Sequence, residues 1–202
     1  MANSPETATA SGNSTERYLL NWAALGNLID QGKSFSGYER NSAFLNLGRG
    51  KKFANVSSAT GLDHMDDGRA VALCDWNFDG NLDFWVTNRT APRVRLLMNE
   101  SNPDSPGRFV AIRLKGSDCN RDAVGARVEI HLQDSNRPLI RTRRAGDGFL
   151  SQSSGWLHWG LGRENEISRV VVRWPGGRAE QITGISAGGF FDVEQGKSTA
   201  VP

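Results

Sequence analysis

The 202-residue sequence has few cysteines, almost no net charge and no long apolar run, and each of these absences excludes a class of protein. Two cysteines are too few for a disulfide framework, and their separation does not fit a zinc motif. With 24 basic and 22 acidic residues, the net charge of +2 is too balanced for a dedicated polyanion binder. No apolar run approaches the roughly 20 residues that span a bilayer, so we expect no membrane span.

The N-terminal residues 1–16 are small and polar and lack the apolar segment of a secretory signal. We expect a disordered lead over residues 1–17, or a cut point from a longer polypeptide. Cys74 lies in a short apolar run, which favours a small buried thiol. A disulfide bridge to Cys119 is the alternative.

What the sequence does have is glycine: 23 residues, together with six tryptophans and short apolar segments, predict a turn-rich β protein. Residues 18–30 carry apolar side chains at helical spacing and predict one short amphipathic helix. Short extended segments separated by turn residues follow, and five are predicted before residue 100, at 43–47, 53–56, 69–74, 82–87 and 94–98. Seven more are predicted at 108–114, 126–132, 138–144, 157–161, 168–174, 179–183 and 189–194.

The distribution of charge favours two parts. Residues 1–104 hold 10 basic and 12 acidic residues, whereas residues 105–202 hold 14 and 10. We predict that residues 18–104 form the helix and a partial β unit. Residues 105–198 carry seven candidate strands and no convincing helix, which is typical of a small β-sandwich or barrel.

The sharpest motif is the segment 75–83, which reads D-x-N-x-D-G-x-x-D. Alternating side-chain oxygens, a glycine that permits a sharp turn, a backbone carbonyl and a final carboxylate match what Ca²⁺ requires. The predicted metal ligands are Asp75, Asn77, Asp79, Asn81 through its carbonyl, and Asp83. The bidentate glutamate of an EF-hand is missing, since Val86 occupies that position. We expect an acidic β-hairpin loop that binds structural Ca²⁺; an Asx-turn hairpin without a cation is the alternative.

The aromatic and apolar neighbours of this motif are expected to pack beneath the loop rather than to contact a ligand. They are Trp76, Phe78, Leu82 and Phe84. A second acidic cluster lies upstream, at Asp63, Asp66 and Asp67 with His64. Paired carboxylates can do acid–base work, but a solvated turn is the favoured interpretation of this cluster.

Two further groups of residues in the second part have functional and structural interpretations. The residue types of a Ser/His/Asp triad occur at Asp147, Ser151, Ser153, Ser154 and His158, but no G-x-S-x-G elbow accompanies them, so nucleophilic catalysis is not favoured. Basic and aromatic residues, Arg141, Arg143, Arg144, Trp156 and Trp159, suggest a surface that stacks bases and binds phosphates. The favoured interpretation places these arginines on the solvent face of a strand and the tryptophans in the core, without nucleic acid binding.

The sequence also resembles two known families. Residues 68–72, leading into the acidic loop and on to 96–99, resemble an FG-GAP/VCBS repeat, the blade unit of integrin-like β-propellers. Residues 119–196 resemble the ASPIC/UnbV domain of cartilage acidic protein-like proteins and their bacterial relatives. Four ordered motifs carry this second resemblance, at 120–128, 148–154, 158–162 and 172–177.

The resemblance implies an ASPIC/UnbV β-sandwich after a partial propeller blade, in a protein that is secreted or in the cell envelope. The blade motif carries over as the same five calcium ligands; Asn77 stands where the repeat usually has Asp, which should weaken the site. Relatives carry several repeats, so the chain is expected to be the C-terminal part of a larger protein or a shortened relative, with possible packing against further blades. The expected function is non-enzymatic, calcium-dependent binding of a protein or glycan. A carbohydrate-active hydrolase or lyase that uses the acidic loops and a metal is the alternative.

Overall fold

A computed structural model describes residues 14–33, 40–48, 50, 52–89, 91–100, 108–162 and 166–202. This part of the chain is mainly β, with one helix, α1 (Ser14–Asp30). Its twelve strands are β1 (Phe44–Asn46), β2 (Phe53–Asn55), β3 (Gly68–Cys74), β4 (Asp83–Asn88), β5 (Val94–Leu97), β6 (Arg108–Lys115), β7 (Arg127–Leu132), β8 (Leu139–Thr142), β9 (Leu157–Gly162), β10 (Ile167–Arg173), β11 (Ala179–Ile182) and β12 (Gly189–Glu194).

The mainly β fold class predicted from the sequence is confirmed, and each predicted strand is present with ends within two residues of those expected. The helix begins at Ser14, four residues before the predicted start. Glu16 lies in its first turn, where a negative charge stabilises the helix N-terminus. Residues 14–17 are therefore helical rather than part of a disordered lead, and the rest of that lead, 1–13, lies outside the described residues.

The chain divides into two compact units. The first comprises Met1–Gly68 with Asn88–Arg93, and the second comprises Arg69–Thr87 with Val94–Pro202. The acidic loop at 75–83 and the C-terminal strands thus belong to the same compact unit. The domain boundaries predicted from the sequence, at 17/18 and 104/105, are not tested by this division into compact units and stay a prediction.

The first unit contains α1 and a small hairpin. Strand β1 pairs antiparallel with β2, with Phe44 opposite Asn55. No residue of α1 is buried, and the apolar side chains that define its predicted face are more than half exposed at Tyr18, Leu19 and Trp22. The helical spacing predicts the helix, but the apolar face that it defines is exposed in the described structure.

The second unit contains a β-sandwich. One sheet has the order β11-β10-β7-β8 and is antiparallel throughout; the other has the order β12-β6-β9, with β12 parallel to β6. Residues of both sheets form one core and are at most 1% exposed: Val110 and Ile112 on β6, Val128 and Ile130 on β7, and Val170 and Val172 on β10. Two open sheets that share a core in this way are a sandwich.

The central strand β6 is buried on both of its faces. Val110 and Ile112 face the shared core, and the alternate residues Phe109 and Ala111 are also buried. Phe109 is covered because its ring stacks on His158 and meets the edge of Phe190. The outer face of the sandwich at β6 is therefore a packing surface.

A third sheet completes the second unit, with the order β3-β4-β5 and β4 antiparallel to β5. The acidic loop joins β3 to β4.

The two cysteines are not bridged. Cys74, at the end of β3, and Cys119 are both free thiols, so the disulfide considered as an alternative is not formed. Burial, followed by the charge of Asp83, raises the pKa of the Cys74 thiol.

No helix in the ranges that the structure describes is long and apolar enough to cross a membrane.

Candidate functional site

The acidic loop between β3 and β4 is folded by its own carboxylates. Asp75 accepts the backbone N–H of Asp79 at 3.0 Å on Oδ1 and that of Gly80 at 2.8 Å on Oδ2. Asp79 in turn accepts the N–H of Asn81 and the side-chain amide of Asn77, each at 2.8 Å. The structure therefore brings three of the predicted ligands, Asp75, Asn77 and Asp79, into one tight turn.

The two carboxylates of this turn respond differently to their surroundings. Burial, together with the negative charge of Asp79, raises the pKa of Asp75 in spite of the Gly80 N–H. Burial acts in the same direction on Asp79, but hydrogen bonds from Asn81 and Asn77 outweigh it and lower the pKa of Asp79. The charged form of Asp75 is thus disfavoured, and a nearby cation would stabilise it.

Asp83 has a different position from the other predicted ligands. Its side chain is fully buried, and its two oxygens accept the backbone N–H groups of Trp76 and Asn99, both at 2.8 Å. This carboxylate ties the start of the loop to the residues that follow β5. Asp83 is therefore a brace of the hairpin in this structure, and its role as a metal ligand stays a prediction.

The donor set of the loop fits a calcium ion in part. Asp75, Asn77, Asp79 and the carbonyl of Asn81 offer the oxygen ligands that Ca²⁺ prefers. Within the described ranges, no group of three or more histidine, cysteine, aspartate or glutamate side chains is arranged to hold a metal. A cation in the loop would therefore depend on amide, carbonyl and water oxygens beside the two carboxylates, which suits a hard ion such as Ca²⁺.

The aromatic residues of the loop lie on its outside. Trp76 is 57% exposed and Phe78 is 61% exposed, so the expectation that they pack beneath the loop is wrong for both. Each makes an edge contact, Trp76 with Trp85 and Phe78 with Phe190, and such contacts leave most of the ring uncovered. Leu82 and Phe84, which were expected in the same place, are half-buried.

The tip of the loop is held against the sandwich by Gly80 and His158. The carbonyl of Gly80 lies 2.9 Å from His158 Nε2, and its Cα lies against the ring of Phe109. Phe109 stacks in parallel on the His158 ring, with 5.3 Å between ring centres. Burial lowers the pKa of His158, which favours the neutral imidazole that donates Nε2–H to this carbonyl.

The residue types of a Ser/His/Asp triad occur here in structural roles. Ser153 Oγ accepts the N–H of Leu73 in β3 at 3.1 Å, and Asp147 accepts the N–H of Ser153 at 2.7 Å. His158 uses Nε2 for Gly80. In the part of the chain that the structure describes, no serine is hydrogen-bonded to His158, so these groups are not arranged as a triad.

The upstream acidic cluster lies in the first unit and is not a solvated turn. Asp66 and Asp67 are buried, at 9% and 3% exposed, which overturns that expectation. Two residues at the end of β4 and directly after it contact this cluster: the Asn88 amide donates to Asp66 at 3.2 Å, and the Arg89 N–H donates to the Asp67 carbonyl at 2.8 Å. Asp63 instead forms an exposed ion pair with Arg40 at 3.0 Å.

Beside the docked loop, the second unit has a groove of about 400 Å³. Its lining includes Arg141, Arg143, Arg144, Trp156 and His158. Trp159 lies in the core, as expected, at 4% exposed, but Trp156 is half-buried and lines the groove. The sequence pointed to these basic and aromatic residues, but spacing alone did not show that they share a concave surface.

Part of the second unit matches a known protein family. Residues 116–200 match the family model described as ASPIC and UnbV. A search of curated proteins found no match to the chain. The matched region contains β7–β12 of the second unit and the groove's arginines. It begins after the acidic loop at 75–83, whose likeness to an FG-GAP/VCBS repeat stays a prediction.

Proposed function

We propose that the chain, which carries an ASPIC and UnbV domain over residues 116–200, is a non-enzymatic binding module of a secreted or cell-envelope protein. In this proposal the acidic loop belongs to an FG-GAP/VCBS-like unit and binds Ca²⁺. The bound ion fixes the loop and the surface beside it, which contacts a protein or glycan. The chain would then be the C-terminal part of a larger repeat protein or a shortened relative.

One observation carries the calcium part of the proposal. Asp75 and Asp79 are folded into the same turn, where burial and mutual charge make the ionised form of Asp75 unfavourable. A divalent cation between oxygen ligands removes this cost. The proposed ligands are Asp75, Asn77, Asp79 and the Asn81 carbonyl, with Asp83 bracing them from the interior.

The contacts of the loop support a link between cation binding and the groove. Gly80, directly after Asp79, bonds His158 of the groove lining, and Leu73 and Leu82 on either side of the loop line the same groove. An ion that orders the loop would therefore order one wall of the groove. The non-enzymatic part of the proposal is supported by Ser153 and His158, whose reactive atoms are engaged with backbone groups.

We expect calcium to raise the thermal midpoint of the chain, and Asp79→Ala to abolish the rise. A ligand that binds only the folded state adds about 2.7 kcal/mol at 100 times its dissociation constant. For a chain of this size, that corresponds to about 5–10 °C. Differential scanning calorimetry in EDTA and in excess Ca²⁺ measures both values.

The matched control is Asp134→Ala, which removes an exposed carboxylate from the turn between β7 and β8. This variant should keep the full calcium shift. A wild-type midpoint that is the same in EDTA and in Ca²⁺ would refute the calcium site. An equal loss of the shift in the Asp134 variant would mean that calcium acts through overall charge rather than through the loop.

A further inference from the structure

We infer that the groove in the second unit binds an acidic saccharide, a sugar that carries carboxylate or sulfate groups beside its hydroxyls. The inference rests on the proposed binding function and names its ligand class. A volume of about 400 Å³ lies within the range of small-molecule sites. It is enough for about one or two sugar residues, so the ligand would be a short oligosaccharide or the end of a longer chain.

The first argument is the unbalanced positive charge of the groove. Arg141, Arg143 and Arg144 all line it, and none of them forms an ion pair within the part of the chain that the structure describes. Three like charges around one concave surface repel each other, and an anion between them relieves the repulsion. The planar guanidinium groups suit carboxylate and sulfate, because both accept two parallel hydrogen bonds.

The three arginines differ in exposure and in hydrogen bonding. Arg143 is half-buried and donates from Nη1 to the carbonyl of Arg144 at 2.8 Å, so its guanidinium is held in place. Arg141 and Arg144 are exposed. Arg141 lies close enough to His158 that its charge, after burial, contributes to the lowered pKa of that imidazole. We therefore assign anion recognition to Arg141 and Arg144, and an orienting role to Arg143.

The second argument is that the groove also offers hydrogen-bond acceptors. Asp147 lines it beside the arginines, and its orientation is set by the Ser153 N–H at 2.7 Å. An ionised carboxylate only accepts hydrogen bonds, so it suits a hydroxyl group and repels any anion placed directly against it. Ser154 adds a hydroxyl that both donates and accepts. A ligand that meets Asp147 and the arginines together must carry both hydroxyl and acid groups.

The third argument is the aromatic wall. Trp156 lines the groove and is half-buried. Its ring is held by the Arg113 guanidinium, 4.7 Å from the ring centre, and by the edge of Phe190 at 5.3 Å. Arg113 is itself fixed by two hydrogen bonds of 2.6 Å to Asp192. A rigid indole gives the apolar C–H face of a sugar ring a flat surface at little entropic cost.

The same observations favour a saccharide over a single-stranded nucleic acid. Nucleic acid grooves follow the backbone with a line of positive charge and stack successive bases on several aromatic rings. Here the charge is confined to the end of β8 and the two residues after it, and the described lining holds Trp156 and His158 as its aromatic rings. Asp147 calls for a hydroxyl donor, which the sugar and phosphate of single-stranded DNA do not offer along the chain. A short acidic sugar satisfies each of these groups.

The experiment is isothermal titration calorimetry of the full chain with four probes: trigalacturonate, its methyl-esterified neutral form, inorganic sulfate and a hexadeoxythymidylate. We expect trigalacturonate to bind, and the neutral form to bind at least tenfold more weakly. The double variant Arg141→Ala/Arg144→Ala should lose at least tenfold in affinity for trigalacturonate. The control Arg137→Ala, which removes an exposed arginine outside the groove from the same hairpin, should bind as the wild type does.

Failure of the inference and failure of the calcium proposal give different results. If calcium stabilises the chain but trigalacturonate does not bind, the saccharide inference is wrong on its own. Tighter binding of the oligonucleotide, or sulfate binding as tight as that of trigalacturonate, also overturns it. If trigalacturonate binds but calcium does not change the thermal midpoint, only the calcium site is refuted. The groove variants should keep their calcium shift, because neither arginine belongs to the loop.

Discussion

Replacing Asp83 with alanine should lower the free energy of unfolding by roughly 2–4 kcal/mol, even with no metal present. The carboxylate is fully buried and accepts the N–H groups of Trp76 and Asn99. Removing it leaves two donors without a partner, and a buried unsatisfied group costs about 1–3 kcal/mol. Urea unfolding in EDTA measures this loss without any contribution from calcium.

Two variants complete this test. Asp83→Asn keeps one acceptor oxygen but turns an amide NH₂ toward a backbone N–H, so it should also destabilise, by less than alanine does. Asp79→Ala removes an exposed carboxylate of the same loop and should cost much less in EDTA. An Asp83→Ala variant that is as stable as wild type in EDTA but has lost the calcium shift would make Asp83 a metal ligand rather than a brace.

The strands of this fold are predictable because their signals are local. Alternating apolar residues and turn residues mark each strand within its own segment. Val170 and Val172 on β10, and Trp174 directly after it, are buried as that alternation requires. The hairpin turn before β11 is likewise marked by Pro175 and two following glycines, and β10 pairs with β11 across it. The sequence also identified the acidic loop and the ASPIC and UnbV domain.

The buried carboxylates depend on contacts that are remote in sequence. Asp66 looks like part of a solvated turn because the Asn88 that helps to bury it lies 22 residues away. The bracing contacts of Asp83 are hidden in the sequence because its partner Asn99 lies 16 residues away. In each case the side chain has a polar character that suits the surface, and only the tertiary fold supplies the hydrogen bonds that allow its burial.

The groove could not be predicted for the same reason. Its lining comes from β3, the residue before β4, strand β8 with the segment after it, and the start of β9. These segments meet only in the folded second unit. The alternation of arginines at 141–144 is equally compatible with a flat solvent face. What distinguishes the two cases is the concave surface formed with Trp156 and Asp147, which no local pattern encodes.

Gly80→Ala should be the most damaging small substitution in the loop, with an expected loss of roughly 2–5 kcal/mol from two separate causes. Gly80 has a φ of +91°, which side chains rarely adopt. A Cβ at this position would also run into the ring of Phe109. That ring is 9% exposed and is held by His158 and Phe190, so it has little room to move away.

Gly176→Ala separates the two causes. Gly176 has a similar φ of +95°, but a Cβ there would have no neighbour within 4 Å. It should therefore show the backbone cost alone, and the excess loss in Gly80→Ala measures the clash with Phe109. Chemical denaturation of both variants, with Phe109→Leu added to each, gives a double-mutant cycle.

In that cycle, Phe109→Leu should recover part of the stability lost in Gly80→Ala and none of that lost in Gly176→Ala. The recovery follows because the smaller, flexible leucine can give way to the added methyl group. Equal losses in the two glycine variants would mean that the loop tip is not held against Phe109. The link from the loop through Gly80 to His158 and the groove would then fail, since the same close approach places the Gly80 carbonyl on His158.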